Sequence, residues 1–125
     1  MSKLFKNIEK FKKKVALVNL DGEKKTYQQI LDTHKRIHSK IGKSKSIILM
    51  ICNNSIQSIT GYISFVKNNH IIILLDDNFS KFYVKKIINK YKPNYIFAPQ
   101  AFFKKSQHKE ILDLNGFLIA KTKFK

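Results

Sequence analysis

Wholly apolar stretches and helical segments alternate through the middle of the chain. Residues Ile47–Ile51 and Ile71–Leu75 are uninterrupted apolar runs, and a segment with helical spacing separates them. Strands that are apolar on both sides fit a sheet covered on both faces, which is the usual case for parallel sheets. A strand, a crossover helix and a second strand make a βαβ unit. We therefore expect the segment Thr26–Asp77 to organise the fold.

The first long helix has a clear predicted start and end. The sequence Thr26-Tyr27-Gln28-Gln29 fits a capping box, in which the Thr26 hydroxyl accepts from the third helical amide and the Gln29 side chain accepts from the amide of Thr26. Gly42 suits the C-terminal cap. Between these ends an apolar stripe runs at helical spacing through Ile30, Leu31, His34, Ile37 and Ile41.

Two further helices are predicted after this one. Either Asn54 or Ser55 is able to cap the second helix, which contains Gly61 near its middle. A mid-helix glycine costs about 1 kcal/mol relative to alanine, so it indicates close packing against a neighbour. Ser80 is suited to cap the third helix, and Pro93 prevents that helix from continuing.

Less regular patterns are found at the two ends of the chain. Apolar residues at helical spacing predict an N-terminal helix within residues 1–14, followed by a strand at Val15–Val18 and a turn at Asp21-Gly22. Asn94–Ala98 is predicted to be a third core strand. Residues 101–109 are polar and are predicted to be irregular or briefly helical.

The C-terminal region carries the signal of a β-hairpin. Two apolar runs, Ile111–Leu114 and Phe117–Ala120, flank Asn115-Gly116. Asn-Gly favours the two-residue turn whose twist matches that of paired strands.

These elements predict an α/β fold with a mainly parallel sheet, crossover helices, a small N-terminal hairpin and the C-terminal Asn-Gly hairpin. We interpret residues 1–125 as a single partial domain. It would comprise the N-terminal helix (1–14), an α/β core (15–98) and a tail with the hairpin (99–125).

Composition narrows the class of protein. The 125 residues are 43% hydrophobic, which is too high for a disordered chain. No apolar run approaches the ~20 residues that cross a bilayer, and no signal peptide is recognisable, so we expect a cytoplasmic protein without a membrane partner. Cys52 is the one cysteine, which excludes an intrachain disulfide, and its place at a strand end predicts a buried, inert thiol.

Charge is the most unusual bulk property. Lysine and arginine number 25 against 8 acidic residues, a net charge of +17 that attracts polyanions. Arg36 is the one arginine, although base-edge and bidentate phosphate recognition favour the planar guanidinium group. We therefore expect solvated lysine surfaces and regard nucleic-acid binding as unlikely. A small basic α/β module that binds nucleic acid or another polyanion is nevertheless the alternative function.

Two short patterns are similar to known functional motifs. Gly42-Lys43-Ser44 resembles the end of a P-loop, but Ile37 occupies the place of the required earlier glycine and the motif follows a helix. His34 and His38 have a zinc-binding spacing, but Lys35 replaces the catalytic glutamate and no third ligand lies nearby in sequence. We interpret the two histidines as partly buried helix residues.

Two polar groups follow the core strands. Asn53-Asn54-Ser55 and Asp76-Asp77 lie where ligands bind in open α/β sheets, beyond the carboxyl ends of strands. Solvated turns and helix caps are the more frequent role of such residues. We assign no catalytic, cofactor-binding or metal-binding residue from the sequence.

The order of motifs resembles the N-terminal region of the AMP-forming adenylating enzymes, which include acyl-CoA synthetases, peptide-synthetase adenylation domains and luciferases. The resemblance covers residues ~4 to ~98. Three pieces of sequence carry it. The first is Ala16-Leu17-Val18, followed by Asp21-Gly22 and Thr26–Ile30, and the second is Ile47–Ile51, followed by Asn54-Ser55. The third runs from Phe65-Val66-Lys67 through Leu74-Leu75-Asp76 to Lys92–Ile96. The family uses ATP and Mg²⁺ to convert a carboxylate into an acyl-adenylate and then transfers the acyl group to a thiol.

The chain departs from the family pattern at several positions. Asn69 stands where the family usually has glycine, and Leu74 and Asp77 stand where it has prolines. The Ser/Thr/Gly-rich phosphate loop and the later ATP-, acyl- and AMP-binding motifs have no counterpart in this sequence. The resemblance therefore implies an N-terminal fragment that is not catalytic alone and binds no cofactor itself. It would be the product of a split, truncated or decaying gene, or one piece of an assembly that a separate chain completes.

Overall fold

The computed structural model describes residues 8–103 and 109–124. Seven strands and three α-helices follow one another in these ranges, with a 3₁₀ turn at Ile8–Phe11 and another at Gln100–Phe103. The strands and helices are, in chain order, β1 (Val15–Val18), β2 (Lys24–Thr26), α1 (Tyr27–Ile41), β3 (Ile47–Cys52), α2 (Ile56–Lys67), β4 (Ile71–Asp76), α3 (Lys81–Tyr91), β5 (Tyr95–Pro99), β6 (Lys109–Leu114) and β7 (Phe117–Lys121).

Five of the strands form one mixed sheet in the order β4-β3-β5-β7-β6. Strand β3 pairs in parallel with β4 and with β5, whereas β7 pairs antiparallel with both β5 and β6. The fold is therefore α/β, but the sheet is mixed. Parallel pairing holds on the β4-β3-β5 side, and the C-terminal hairpin adds the antiparallel side.

Alternate residues of β3 face opposite layers of the core. Ile48 and Met50 lie with buried residues of α1 and α2, including Phe65, while Leu49 and Ile51 lie with Val84 of α3. A sheet covered on both faces requires a strand that is apolar at every position. This requirement explains the uninterrupted apolar run of β3, which the sequence pattern identified.

Gly61 of α2 lies directly against the ring of Phe97 in β5. A Cβ atom at position 61 would overlap the Phe97 ring, with its Cζ atom at 2.7 Å. Phe97 also makes an edge contact with Phe65, whose ring centroid lies 5.5 Å away. The predicted close packing at the mid-helix glycine is confirmed, and the glycine allows the helix to approach the sheet.

The helix ends agree closely with the sequence signals. The Gln29 amide donates to the Thr26 hydroxyl at 3.2 Å and the Thr26 amide donates to the Gln29 side chain at 2.8 Å, so the capping box is complete. Ser55, rather than Asn54, caps α2, and Ser80 caps α3. Gly42 ends α1 with a φ of 83°.

The two hairpins are also present. Strands β1 and β2 pair antiparallel around the Asp21-Gly22 turn, and β6 and β7 pair across Asn115 and Gly116. Asn115 and Gly116 have φ angles of 51° and 94°, the left-handed geometry that a type I′ turn requires at both positions.

Two predicted segments, residues 1–14 and 101–109, differ from the sequence prediction or lie partly outside the described residues. The predicted N-terminal helix within residues 1–14 is represented by the 3₁₀ turn at Ile8–Phe11, and residues 1–7 lie outside the described residues. The predicted irregular or briefly helical segment 101–109 overlaps the end of the second 3₁₀ turn, while residues 104–108 are outside the described residues. Within the described ranges, no helix is both long and apolar enough to cross a membrane.

Candidate functional site

The carboxyl ends of β3 and β4 form the place where an open α/β sheet would bind a ligand. The two strands are adjacent and parallel, and Cys52 at the end of β3 is level with Asp76 at the end of β4. The chain leaves β3 towards α2 on one face of the sheet and leaves β4 towards α3 on the other. In the order β4-β3-β5 the chain moves from β3 to β4 and then back past β3 to β5, so the strand order reverses beside β3 at this end of the sheet. The structure thus brings together the two polar groups that the sequence singled out.

The polar side chains that follow β3 are bonded to one another. The Asn53 amide donates to the Ser58 hydroxyl at 3.1 Å, and that hydroxyl donates to the Asn53 side-chain oxygen at 3.3 Å. The Ser58 amide donates to the Ser55 hydroxyl at 3.2 Å. These bonds satisfy the first turn of α2, so Asn53 and Ser55 serve to turn and cap the chain.

The aspartates that follow β4 have a similar role. The Asp76 carboxylate accepts from the Asn78 amide at 2.8 Å, and the Asp77 amide donates to the Cys52 carbonyl at 3.0 Å. Both side chains are exposed. Their bonds form a turn that directs the chain from β4 into α3.

Cys52 lies at the same end of the sheet and is half-buried. Burial raises the pKa of its thiol, and the negative charges of Asp76 and Asp77 raise it further, while a hydrogen bond with Ser58 acts in the opposite direction. A thiolate is therefore disfavoured at this position. The raised pKa agrees with the prediction of an inert thiol, whereas the prediction of a buried side chain is wrong, because Cys52 is half-buried.

His34 and His38 lie in the interface between α1 and α2. The Nδ1 atom of His34 is 2.8 Å from the Ser64 hydroxyl, and the Asn68 side-chain amide donates to Nδ1 of His38 at 3.1 Å. The imidazole rings stack with their centroids 6.1 Å apart. Burial lowers the pKa of His34 to about 4, with smaller contributions from the positive charges of Lys67 and His38. The prediction that both are partly buried helix residues is confirmed, and the structure adds that they pack as polar residues between two helices.

A third histidine, His70, directly precedes β4 and was not singled out by the sequence. Its Nδ1 atom accepts from the Ser46 amide at 3.1 Å, which ties the start of β4 to the start of β3. The ring is buried, its Nε2 atom has no partner among residues 8–103 and 109–124, and burial lowers its pKa. The signal that could have indicated a role for His70 is its position directly before an apolar strand. Its hydrogen-bond partner, Ser46, could not be inferred because it lies 24 residues earlier in the chain.

The remaining candidate patterns do not form a site. Gly42-Lys43-Ser44 connects α1 to β3, so it ends a helix instead of opening one, and it lacks the position of a phosphate-binding loop. Within residues 8–103 and 109–124, no three His, Cys, Asp or Glu side chains are grouped so that they could hold a metal ion.

Hydrogen bonding at the carboxyl ends of β3 and β4 supports a structural role for the polar residues there. The side chains of Asn53, Ser55, Ser58 and Asp76 are engaged in caps and turns, and burial raises the pKa of the neighbouring Cys52 thiol. These bonds assign the described polar residues at this end of the sheet to turns and helix caps.

Comparison with known proteins adds information on the fold. The sequence matches no family model, and no curated protein matches it. Three chains of solved structures match, among them the crystal structure of IdnL1, with a TM-score of 0.65 and 8% sequence identity. The match covers 86% of this chain and 24% of that chain, so the protein spans about a quarter of the length of IdnL1. At this identity the likeness establishes a shared α/β fold.

Proposed function

We propose that the chain is the first part of the scaffold of an AMP-forming adenylating ligase. In an intact enzyme of that class, ATP and a carboxylate form an acyl-adenylate and pyrophosphate, and a thiol then accepts the acyl group. This chain would supply part of the sheet and its covering helices. It would not supply the chemistry.

The observation that carries the proposal is the position of the resembling motifs in the fold. The Thr26–Ile30 stretch spans the complete capping box at the junction of β2 and α1. Asn54-Ser55 lies at the cap of α2, and Leu74-Leu75-Asp76 ends β4. All three stretches thus lie at junctions, where sequence is most constrained by the path of the chain. The match to part of a much longer solved chain is further support.

Asn69 adds a specific point of agreement. The residue that stands in place of the family's glycine has a φ of 59°, the left-handed geometry that glycine adopts most readily and asparagine tolerates. The amides of Asn69 and His70 donate to the carbonyls of Val66 and Phe65, which is the Schellman arrangement at a helix end. The substitution therefore preserves the backbone geometry.

The proposed division of labour assigns no catalytic residue to this chain. Phosphoryl chemistry needs donors arranged around the phosphates and a bound metal ion, and no residues of this sequence correspond to the family's phosphate loop. ATP and Mg²⁺ would be bound by a separate chain that supplies the rest of the ligase. A cytoplasmic location is part of the proposal, because ATP and a free thiol such as that of coenzyme A are available there.

ATP–pyrophosphate exchange tests the proposal. The purified chain alone should give no exchange above background with any carboxylate. Exchange should appear when it is mixed with a second chain that carries the Ser/Thr/Gly-rich loop and the later motifs, encoded next to it. Exchange by this chain alone, or full activity of the second chain without it, would contradict the proposal.

One surface favours the second candidate, a module that binds a polyanion. The outward side of α3 presents Phe82, which is 69% exposed, with the Lys86 ammonium 4.7 Å from the centre of its ring. Lys85 and Lys90 are also exposed on this helix. Aromatic rings among lysines are suited to stack bases and to attract phosphates. Binding to single-stranded RNA that weakens steeply with added salt, and that a Phe82→Ala substitution reduces, would support this candidate.

A further inference from the structure

Strand β4 lies at one edge of the five-stranded sheet and is apolar at five of its six positions. Ile71 is 48% exposed and Leu74 is 57% exposed. Within the described residues, β3 is the one strand that pairs with β4, so the other side of β4 is open. An exposed apolar edge is a template for the addition of another strand.

The hydrogen bonds define which residues of β4 face this open side. The Ile71 amide donates to the Ser46 carbonyl at 2.9 Å, and the Asp77 amide donates to the Cys52 carbonyl at 3.0 Å. In a parallel ladder, the N–H and C=O groups of one residue point to the same side, and successive residues alternate. The odd-numbered residues from Ile71 to Asp77 therefore bond β3, whereas Ile72, Leu74 and Asp76 direct their N–H and C=O groups away from it.

The opposite edge of the sheet shows how this protein protects an edge. Strand β6 carries Lys109, Glu110 and Asp113, and its register with β7 shifts between Glu110 and Leu112. Charged side chains and bulges are the features that prevent unwanted strand pairing. In β4 the register with β3 is continuous over six residues, and Asp76 at its end is the only charged residue. The sheet is thus protected at one edge and open at the other.

The charge around β4 indicates what kind of chain would pair with it. From Lys67 to Lys92 the sequence contains six lysines and two aspartates, Asp76 and Asp77. A second copy of this chain would bring another +17 charge to the interface. Electrostatic complementarity favours an acidic partner and disfavours the copy.

We propose that β4 accepts an added β-strand from a different, acidic polypeptide. The partner's main chain bonds Ile72 and Leu74, its apolar side chains cover Leu74 on one face of the sheet, and its carboxylates lie on the opposite face, which is the side of the lysines of α3. This mode of binding combines main-chain hydrogen bonds with pockets for alternate side chains. The inference concerns the sheet edge and does not depend on the ligase proposal.

The Leu74→Pro substitution tests the main-chain contact selectively. Proline removes the N–H of residue 74, which faces outward, and leaves the ladder between β3 and β4 intact. Leu74→Val is the matched control, because it changes the side chain but keeps the N–H. Circular dichroism melts verify that both variants are folded.

The probe is a fluorescent seven-residue peptide of alternating glutamate and valine, and its lysine–valine counterpart is the charge control. Fluorescence anisotropy should show that the full chain and Leu74→Val bind the acidic peptide. Leu74→Pro should bind it at least tenfold more weakly, and the basic peptide should not bind measurably.

Four results would overturn the proposal. They are no binding of the acidic peptide, equal binding by Leu74→Pro, equal binding of the basic peptide, and a concentration-dependent dimer that Leu74→Pro abolishes, which would make a second copy the occupant.

Discussion

At the scale of single residues, Gly61 shows how the absence of a side chain allows helix α2 to lie close to the sheet. A methyl group at this position would overlap the Phe97 ring. We predict that Gly61→Ala destabilises the protein by up to about 2 kcal/mol, because an overpacking cost of about 1–3 kcal/mol opposes the roughly 1 kcal/mol that alanine gains in a helix. Urea denaturation followed by circular dichroism measures the change.

A double-mutant cycle separates this clash from other effects. In a Phe97→Leu background, the smaller side chain leaves room for the methyl group, so the cost of Gly61→Ala should fall by at least about 1 kcal/mol. The same cost in both backgrounds would show that contact with Phe97 is not the reason for the glycine.

Sequence reasoning could identify the residues that bond near neighbours in the chain or form a turn by themselves. The bonds of Thr26 and Gln29 span three positions, and the Asn115-Gly116 turn is defined by its own backbone angles. His70 and Asn94 were not identified, because their partners are distant in the chain. Asn94 accepts from the Ile47 amide at 2.8 Å, a contact 47 residues apart that joins the starts of β5 and β3. Such contacts depend on strand order, which local spacing does not encode.

At the scale of elements, the interface between α1 and α2 contains titratable histidine side chains. His34, held beside Ser64 of α2, has its pKa lowered to about 4 by burial and by the charges of Lys67 and His38. Its unfolded pKa is 6.5. Between these two values the unfolded chain binds more protons than the folded one, so stability falls as the pH decreases from 6.5 towards 4.

We predict that this histidine contributes roughly 1–2 kcal/mol of the acid-induced loss of stability. The full pKa difference would correspond to about 3 kcal/mol, and partial exposure of the ring reduces it. The measurement is the free energy of unfolding at pH 7.5 and at pH 4.5 for the natural chain and for His34→Gln, whose amide keeps a polar contact to Ser64 without titrating. Identical pH profiles would exclude His34 as the source, and the profile of His38→Gln would show whether the neighbouring ring contributes.

The elements themselves were largely predictable, but the sheet was not. The apolar runs of β3 and β4 and the capping signals of the three helices are local patterns, and each is found in the structure. The position of the C-terminal hairpin beside β5 is not a local pattern. Tyr95 pairs with Lys121 across 26 residues, and this antiparallel pairing makes the sheet mixed instead of mainly parallel. That the polar groups after β3 and β4 lie at the same end of the sheet was predictable from strand direction, whereas their hydrogen bonds were not.

At the scale of the whole molecule, the dominant property is unbalanced positive charge. The net charge is +17, and the described residues contain one ion pair, Lys25 with Glu23 at 4.0 Å. Self-repulsion of this kind destabilises the compact state, and salt screens it because the Debye length falls from about 30 Å at 0.01 M to about 10 Å at 0.1 M.

We therefore predict that the melting temperature rises by a few degrees between 10 and 200 mM sodium chloride at constant pH, as measured by circular dichroism. The matched variant is Lys85→Glu with Lys86→Glu, which lies on the exposed side of α3 and lowers the net charge to about +13. Its melting temperature should be higher at low salt and should depend less on salt than that of the natural chain. A melting temperature that falls with added salt would mean that attractive surface pairs, and not repulsion among lysines, dominate the electrostatics of the folded chain.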